Sequence, residues 1–139
     1  MKTISFDIEI KASKEKVWSI LWEDSNYRAW TKVFCEGSHA VSDWKEGSRI
    51  LFLNGEGQGM YSVIEKKRPN EFMLFRHLGE IDNDKEQPPY EQSSTESYIL
   101  TESDGKTHLT VELLVEEEYE DYFFKQFPVA LEKIKILAE

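Results

Sequence analysis

Tyr119-Glu-Asp-Tyr-Phe-Phe-Lys-Gln-Phe-Pro-Val-Ala-Leu-Glu-Lys-Ile-Lys-Ile-Leu-Ala-Glu139 decides how this chain is read. Apolar residues recur at Tyr119, Phe123, Phe127, Ala130, Leu131, Ile134, Leu137 and Ala138, and Glu120, Asp121, Lys125, Glu132, Lys133 and Lys135 fall opposite them. Steps of three and four predict an amphipathic helix with one stripe to bury. At about 1.5 Å per residue it is roughly 30 Å long, the width of a small domain. The residues before it read mainly as strands, so the stripe needs a sheet as its partner. Phe127-Pro128 conflicts with the pattern. Proline loses a helical hydrogen bond and clashes with the preceding turn, so a kink near Phe124 to Phe127, or a helix starting anew at Pro128, is expected.

Working outward, Thr107 to Glu116 places Leu109, Val111, Leu113 and Val115 at every second position, a strand with one buried face. Asp104-Gly105 is a hairpin signal joining it to a strand over Glu91 to Glu102, where Glu96, Tyr98 and Leu100 share a face. The acidic run Glu116 to Asp121 complements the positive end of the following helix, a structural role preferred over a metal or partner site. At the other end, Ile4, Phe6, Ile8 and Ile10 alternate with polar residues as strand one. Ser13 is suited to cap a short helix in which Val17, Trp18 and Leu21 share a face, ending near Glu23 to Asn26. Tyr27 to Lys32 forms a further turn or short helix anchored by Trp30.

The middle of the chain reads as strands near Val41, over Ser48 to Asn54, over Met60 to Lys67 and over Phe72 to His77. Gly55 to Gly59 and Arg68-Pro69-Asn70 are the turns between them. Leu78 to Pro89 breaks all periodicity and is expected to be a long exposed loop. Tight turns between successive strands predict antiparallel pairing, and helices at the chain ends predict an α+β layer. The expected fold is a curved antiparallel sheet of about six or seven strands around a long C-terminal helix, with two short helices after strand one. No repeat or linker divides residues 1–139, which are expected to form a single domain.

Seventeen basic against 27 acidic residues give a net charge of -10, which repels DNA, RNA and anionic lipid. The one cysteine, Cys35, cannot form an internal bridge, and no basic-plus-apolar signal segment stands at the start. A reducing cytoplasm is the expected compartment. No apolar run approaches the roughly 20 residues of a membrane span.

Several marks resemble the helix-grip fold of the START/SRPBCC superfamily, which includes the birch-pollen-allergen-like proteins, and within it the branch named after the activator of the heat-shock-protein-90 ATPase. They are Ala12-Ser-Lys-Glu-Lys-Val-Trp18 after strand one, Trp30, Trp44-Lys-Glu-Gly-Ser48 before a strand, and Val63, Glu65 and Pro69 in the strand-and-turn that follows. The spaced Leu131, Ile134 and Leu137 of the last helix complete the set. Phe127-Pro128 departs from it, standing where many relatives have glycine-tryptophan. The resemblance implies a hydrophobic ligand held between sheet and helix, or a co-chaperone role; some members catalyse cyclisation or hydrolysis, but no catalytic set travels with the fold.

The residues themselves carry no signature of nucleophilic catalysis: a glycine-x-serine-x-glycine elbow is lacking. Cys35 and His39 could meet only if their segment were helical. The histidines His39, His77 and His108 lie on different elements without ligand spacing, so no metal and no cofactor is expected. Gly55 to Gly59 opens a strand and lacks the P-loop lysine, which favours a plain hairpin. What remains is an internal pocket. Glu96 shares the core face with Tyr98, and His77 shares parity with Met73 and Phe75. A buried carboxylate without a partner is disfavoured in its charged form, the usual preparation for acid-base work or for gripping a polar group. Alternatively both residues sit near strand ends in water. The expected ligand-binding set is Trp30, Phe52, Phe75, His77, Glu96, Tyr98, Tyr119 and Phe123, with no catalytic residue assigned. The expected function is binding of a small hydrophobic or lipid-like molecule. The alternatives are a co-chaperone or stress-response domain and, third, an enzyme acting on a small hydrophobic substrate; the expected assembly is a monomer or homodimer without nucleic-acid or membrane partners.

Overall fold

The computed structural model describes residues 1–139. Strand β1 (Lys2–Ile10) leads into helices α1 (Lys14–Trp22) and α2 (Asp24–Thr31). Strands β2 (His39–Val41), β3 (Arg49–Leu53), β4 (Gly59–Arg68), β5 (Phe72–Asp82), β6 (Lys85–Glu86), β7 (Ser94–Ser103) and β8 (Lys106–Val115) follow. A 3-10 turn (Glu117–Tyr119) then opens α3 (Glu120–Ala138). The strands form one antiparallel sheet in the order β1-β8-β7-β5-β4-β3-β2, with β6 paired to the end of β5. This is the α+β helix-grip fold.

Local chemistry accounts for the boundaries. Ser13 Oγ accepts from the Lys16 amide at 3.1 Å, so α1 starts where its cap stands. Trp30 Nε1 donates to the Leu21 carbonyl at 3.1 Å and ties α2 to α1. In the β7–β8 hairpin, Asp104 and Gly105 have φ of 54° and 75°, the left-handed pair a two-residue turn requires. Along β8, Thr107, Leu109, Val111, Leu113 and Val115 are buried and their neighbours are not. Phe127, Ala130, Leu131, Ile134 and Ala138 of α3 close the other side of the core. Each fully buried Leu, Ile or Phe contributes about 1.5–3 kcal/mol, so the second half of α3 supplies most of its grip on the sheet.

Three expectations are corrected. Residues Leu78 to Asp82 are not loop: β5 runs through them, turns at Asn83-Asp84, and returns as β6, a two-residue strand that brings the sheet to eight strands. Gly79 looks like a strand breaker but is a seat, since a Cβ there would lie 2.3 Å from the Tyr61 hydroxyl. Tyr61 crosses it and donates to the Gln87 carbonyl at 2.7 Å, closing the β6 flap. Nor does the helix begin anew at Pro128, for α3 continues through it from Glu120 to Ala138. Pro128 and Phe124, four residues back, are both exposed, so the carbonyl left without its donor stands on the solvent side of the helix, where losing the bond costs least. Tyr119, assigned to the buried stripe, lies in the 3-10 turn before the helix and is 50% exposed. The 3-10 turn rotates it out of phase with the helical stripe.

Candidate ligand-binding site

Three neighbouring strands, β4, β5 and β7, bring Ser62, His77 and Glu96 together. A register shift at Tyr61/Ser62 pairs Ser62 with His77 while Tyr61 pairs with Gly79, so Leu78 is the extra residue of a bulge. Glu96 stands opposite Phe75, one step diagonally from His77. Ser62 Oγ lies 2.7 Å from His77 Nδ1, and His77 Nε2 lies 3.1 Å from Glu96 Oε1. The second carboxylate oxygen accepts the hydroxyl of Tyr98. Burial, reinforced by the Glu96 charge, raises the Tyr98 pKa well above the ordinary phenol value, so this hydroxyl keeps its proton and donates. Every atom of the chain is then satisfied in one arrangement: Ser62 donates to Nδ1, Nε2–H donates to Oε1, and Tyr98 donates to Oε2.

The alternative placement of His77 and Glu96 at strand ends in water does not hold: His77 is buried in mid-strand, and Glu96 keeps 22% of its side chain exposed. Ser62 and Tyr98, at the two ends of this chain, are wholly buried, and Glu96 between His77 and Tyr98 is its most accessible member. That geometry suits recognition or a proton relay through Glu96 better than attack by the serine.

Aromatic rings wall this polar line. Phe52 meets Phe75 edge-on at 5.1 Å and lies 5.6 Å from His77. Tyr98 is 6.3 Å from Trp30 and 4.8 Å from Trp22. Tyr27 bridges Trp30 and Phe52 at 5.4 and 6.4 Å, and burial, then the Glu96 charge, pushes its hydroxyl well above the ordinary range. The structure thus joins six of the nominated residues, Trp30, Phe52, Phe75, His77, Glu96 and Tyr98. Phe123, half-buried, reaches them only through Phe127 and Phe34. Tyr119 stands apart; the charges acting on its hydroxyl are Glu118, Glu116 and Glu80.

Sequence reasoning missed Ser62, Tyr27 and Trp22. Ser62 could have been found from parity, two residues before the buried Ile64. Trp22 has a second aspect: besides Tyr98 it meets Phe75 at 5.3 Å and Trp44 at 5.8 Å. With Trp18, Trp44, Met73 and Lys67 it lines a surface cleft of about 230 Å³, smaller than an ordinary small-molecule site. Cys35 and His39 do not meet in a helix: Cys35 Sγ faces the Glu36 carbonyl and His39 Nδ1 the Gly37 carbonyl.

A family model described as Activator of Hsp90 ATPase homolog 1-like protein matches residues 11–139. No curated protein matches the sequence. Among solved structures, the Aha1 dimer from Colwellia psychrerythraea is similar with a TM-score of 0.76 and 22% identity, over 100% of this chain and 97% of that one. CalU16 from Micromonospora echinospora has a TM-score of 0.72 and 16% identity, over 99% and 76%. DynU16, a protein in the dynemicin biosynthetic locus, has a TM-score of 0.76 and 13% identity, over 98% of this chain and 46% of that one. These likenesses are ones of fold. The family match extends over almost the whole chain, and the chain belongs to the Activator of Hsp90 ATPase homolog 1-like family, a branch of the SRPBCC superfamily.

Proposed function

We propose that this protein binds a small hydrophobic molecule carrying one hydrogen-bond donor, held between the curved sheet and the first half of α3. The observation that carries the reading is the Ser62–His77–Glu96–Tyr98 chain, in which one member, Glu96, is a partly exposed carboxylate beside an aromatic wall. Both oxygens of Glu96 already accept a donor from the protein, which orients the carboxylate, and the 22% of its side chain left exposed is what a ligand hydroxyl or ammonium group would meet. Trp30, Phe52, Phe75, His77, Glu96, Tyr98 and Phe123 form the contact set, and Tyr119 at most its rim. The ligand is met in the cytoplasm, with the protein present as monomer or homodimer.

The test is a panel of aromatic and lipid-like molecules screened by thermal shift and by native mass spectrometry, repeated with Glu96→Gln. Neutralising an acceptor in a charge-assisted bond weakens a donor-bearing ligand by about tenfold, or about 1.4 kcal/mol, and leaves its apolar analogue unchanged. Equal binding of both ligands by the two proteins removes Glu96 from the site. A panel in which nothing binds argues against the reading as a whole. The family description favours a second reading, a co-chaperone that raises a chaperone's ATPase rate; an unchanged rate with added protein dismisses it. An enzymatic role with Glu96 as the base is the third, and it requires a turnover that Glu96→Gln abolishes.

A further inference from the structure

Tyr122, Val129 and Ile136 stand seven residues apart on α3 and are 43%, 54% and 64% exposed. Two turns of helix separate successive members, so the three form one apolar line on the outward side, away from the buried Phe127, Leu131 and Ile134. Of the residues beside Val129 on the helix surface, Lys125, Glu132 and Lys133 are charged and Gln126 is polar. The ion pairs that α3 makes within the chain run from Glu120 to Lys2 and from Lys135 to Glu139, which leaves Lys125 and Glu132 unpaired.

We propose that this face pairs with the same face of a second copy, antiparallel, about a two-fold axis through Val129. In that register Val129 meets Val129 of the other copy, and Tyr122 meets Ile136. Lys125 and Glu132 lie on one flank of the line. Reversing the second helix sets Lys125 of each copy within one residue's rise of Glu132 of the other, giving two opposite-charge pairs by symmetry. Both pairs form because a two-fold axis across the helices brings like flank to like flank, and the two Lys125 side chains stay about 12 Å apart along the helix. The apolar line spans about 21 Å of helix, and a single helix pair of that length sits at the low end of interface sizes. The dimer is accordingly weak and concentration-dependent, with a dissociation constant on the order of 100 μM.

Sedimentation velocity from about 10 μM to about 1 mM reads the constant directly. Lys125→Glu and Glu132→Lys each raise it by about tenfold or more, since symmetry makes every single change act twice, and the double variant restores it. Val129→Glu with Ile136→Glu gives a monomer throughout. All four positions are exposed, and far-ultraviolet circular dichroism confirms that the variants remain folded. A wild-type protein that stays monomeric at the highest concentration overturns the proposal. So does a dimer that survives Val129→Glu/Ile136→Glu, or a charge-swapped double variant no better than its single parents.

Discussion

Glu96 accepts from two buried donors at once, and replacing it separates the electrostatic part of the site from the purely hydrogen-bonded part. Glu96→Leu leaves Tyr98 O–H and His77 Nε2–H without acceptors in a site where Tyr98 is wholly buried and His77 nearly so. An orphaned buried donor costs about 1–3 kcal/mol, so two cost about 2–6 kcal/mol, the lower part applying if water enters beside the partly exposed carboxylate position. Glu96→Gln behaves differently. Its carbonyl oxygen accepts from Tyr98, and its amide donates to His77 Nε2, which must then be unprotonated. The imidazole proton moves to Nδ1 and donates to Ser62 Oγ, whose own hydroxyl rotates to serve as acceptor. Only charge assistance is lost, and the cost is about 1 kcal/mol. Urea denaturation of the three proteins gives the free energies. Nitrogen-15 NMR of the His77 ring reads the tautomer, Nε2–H in the wild type and Nδ1–H in Glu96→Gln. A wild-type ring protonated on Nδ1, or a Glu96→Leu protein as stable as wild type, refutes the hydrogen-bond scheme.

Three further outcomes follow from the packing. Gly79→Ala drives its methyl group into the Tyr61 ring end, breaks the bond to Gln87 and costs about 1–3 kcal/mol in denaturant; in a Tyr61→Ala background the cost largely disappears, and an additive pair of effects contradicts the contact. Pro128→Ala restores one helical hydrogen bond at an exposed position of an unbroken helix and stabilises the fold by about 1–2 kcal/mol, after the proline's restriction of the unfolded chain is offset; a lower melting temperature contradicts it. Burial pushes the Tyr90 pKa up from 10.0 to about 12, so the unfolded chain releases its proton first and stability falls as pH rises between those values. Absorbance titration near 295 nm should show Tyr27 and Tyr98 ionising only when the protein unfolds. Six tyrosines titrating together near the ordinary value rule this out.

Local pattern was enough for much of this chain. The alternation of Ile4 to Ile10 and of Leu109 to Val115, the cap at Ser13, the Asp104-Gly105 turn and the stripe from Phe127 to Ala138 each follow from one element burying one face. Parity likewise pointed His77, Glu96 and Tyr98 to the same side. Other features were hidden because their cause is distant in sequence. Gly79 reads as a breaker until the ring of Tyr61 is laid across it, and Pro128 reads as a break until its exposed face is known. Ser62 enters the site through a bulge in β5, since one extra residue at Leu78 resets which side chains stand opposite. Tyr119 left the stripe because a 3-10 turn changes the angle per residue.

By itself, then, the sequence determined the order of the elements, the face each one buries and the pairing of strands joined by short turns, because these depend on periodicity and on chemistry within a few residues. Only the tertiary structure decided that Ser62, His77, Glu96 and Tyr98 form one line of hydrogen bonds, and that Tyr122, Val129 and Ile136 are left outside the core. Both outcomes depend on the curvature of the sheet and on how α3 is rotated against it. Those are set by packing among residues far apart in the chain, to which no local period responds.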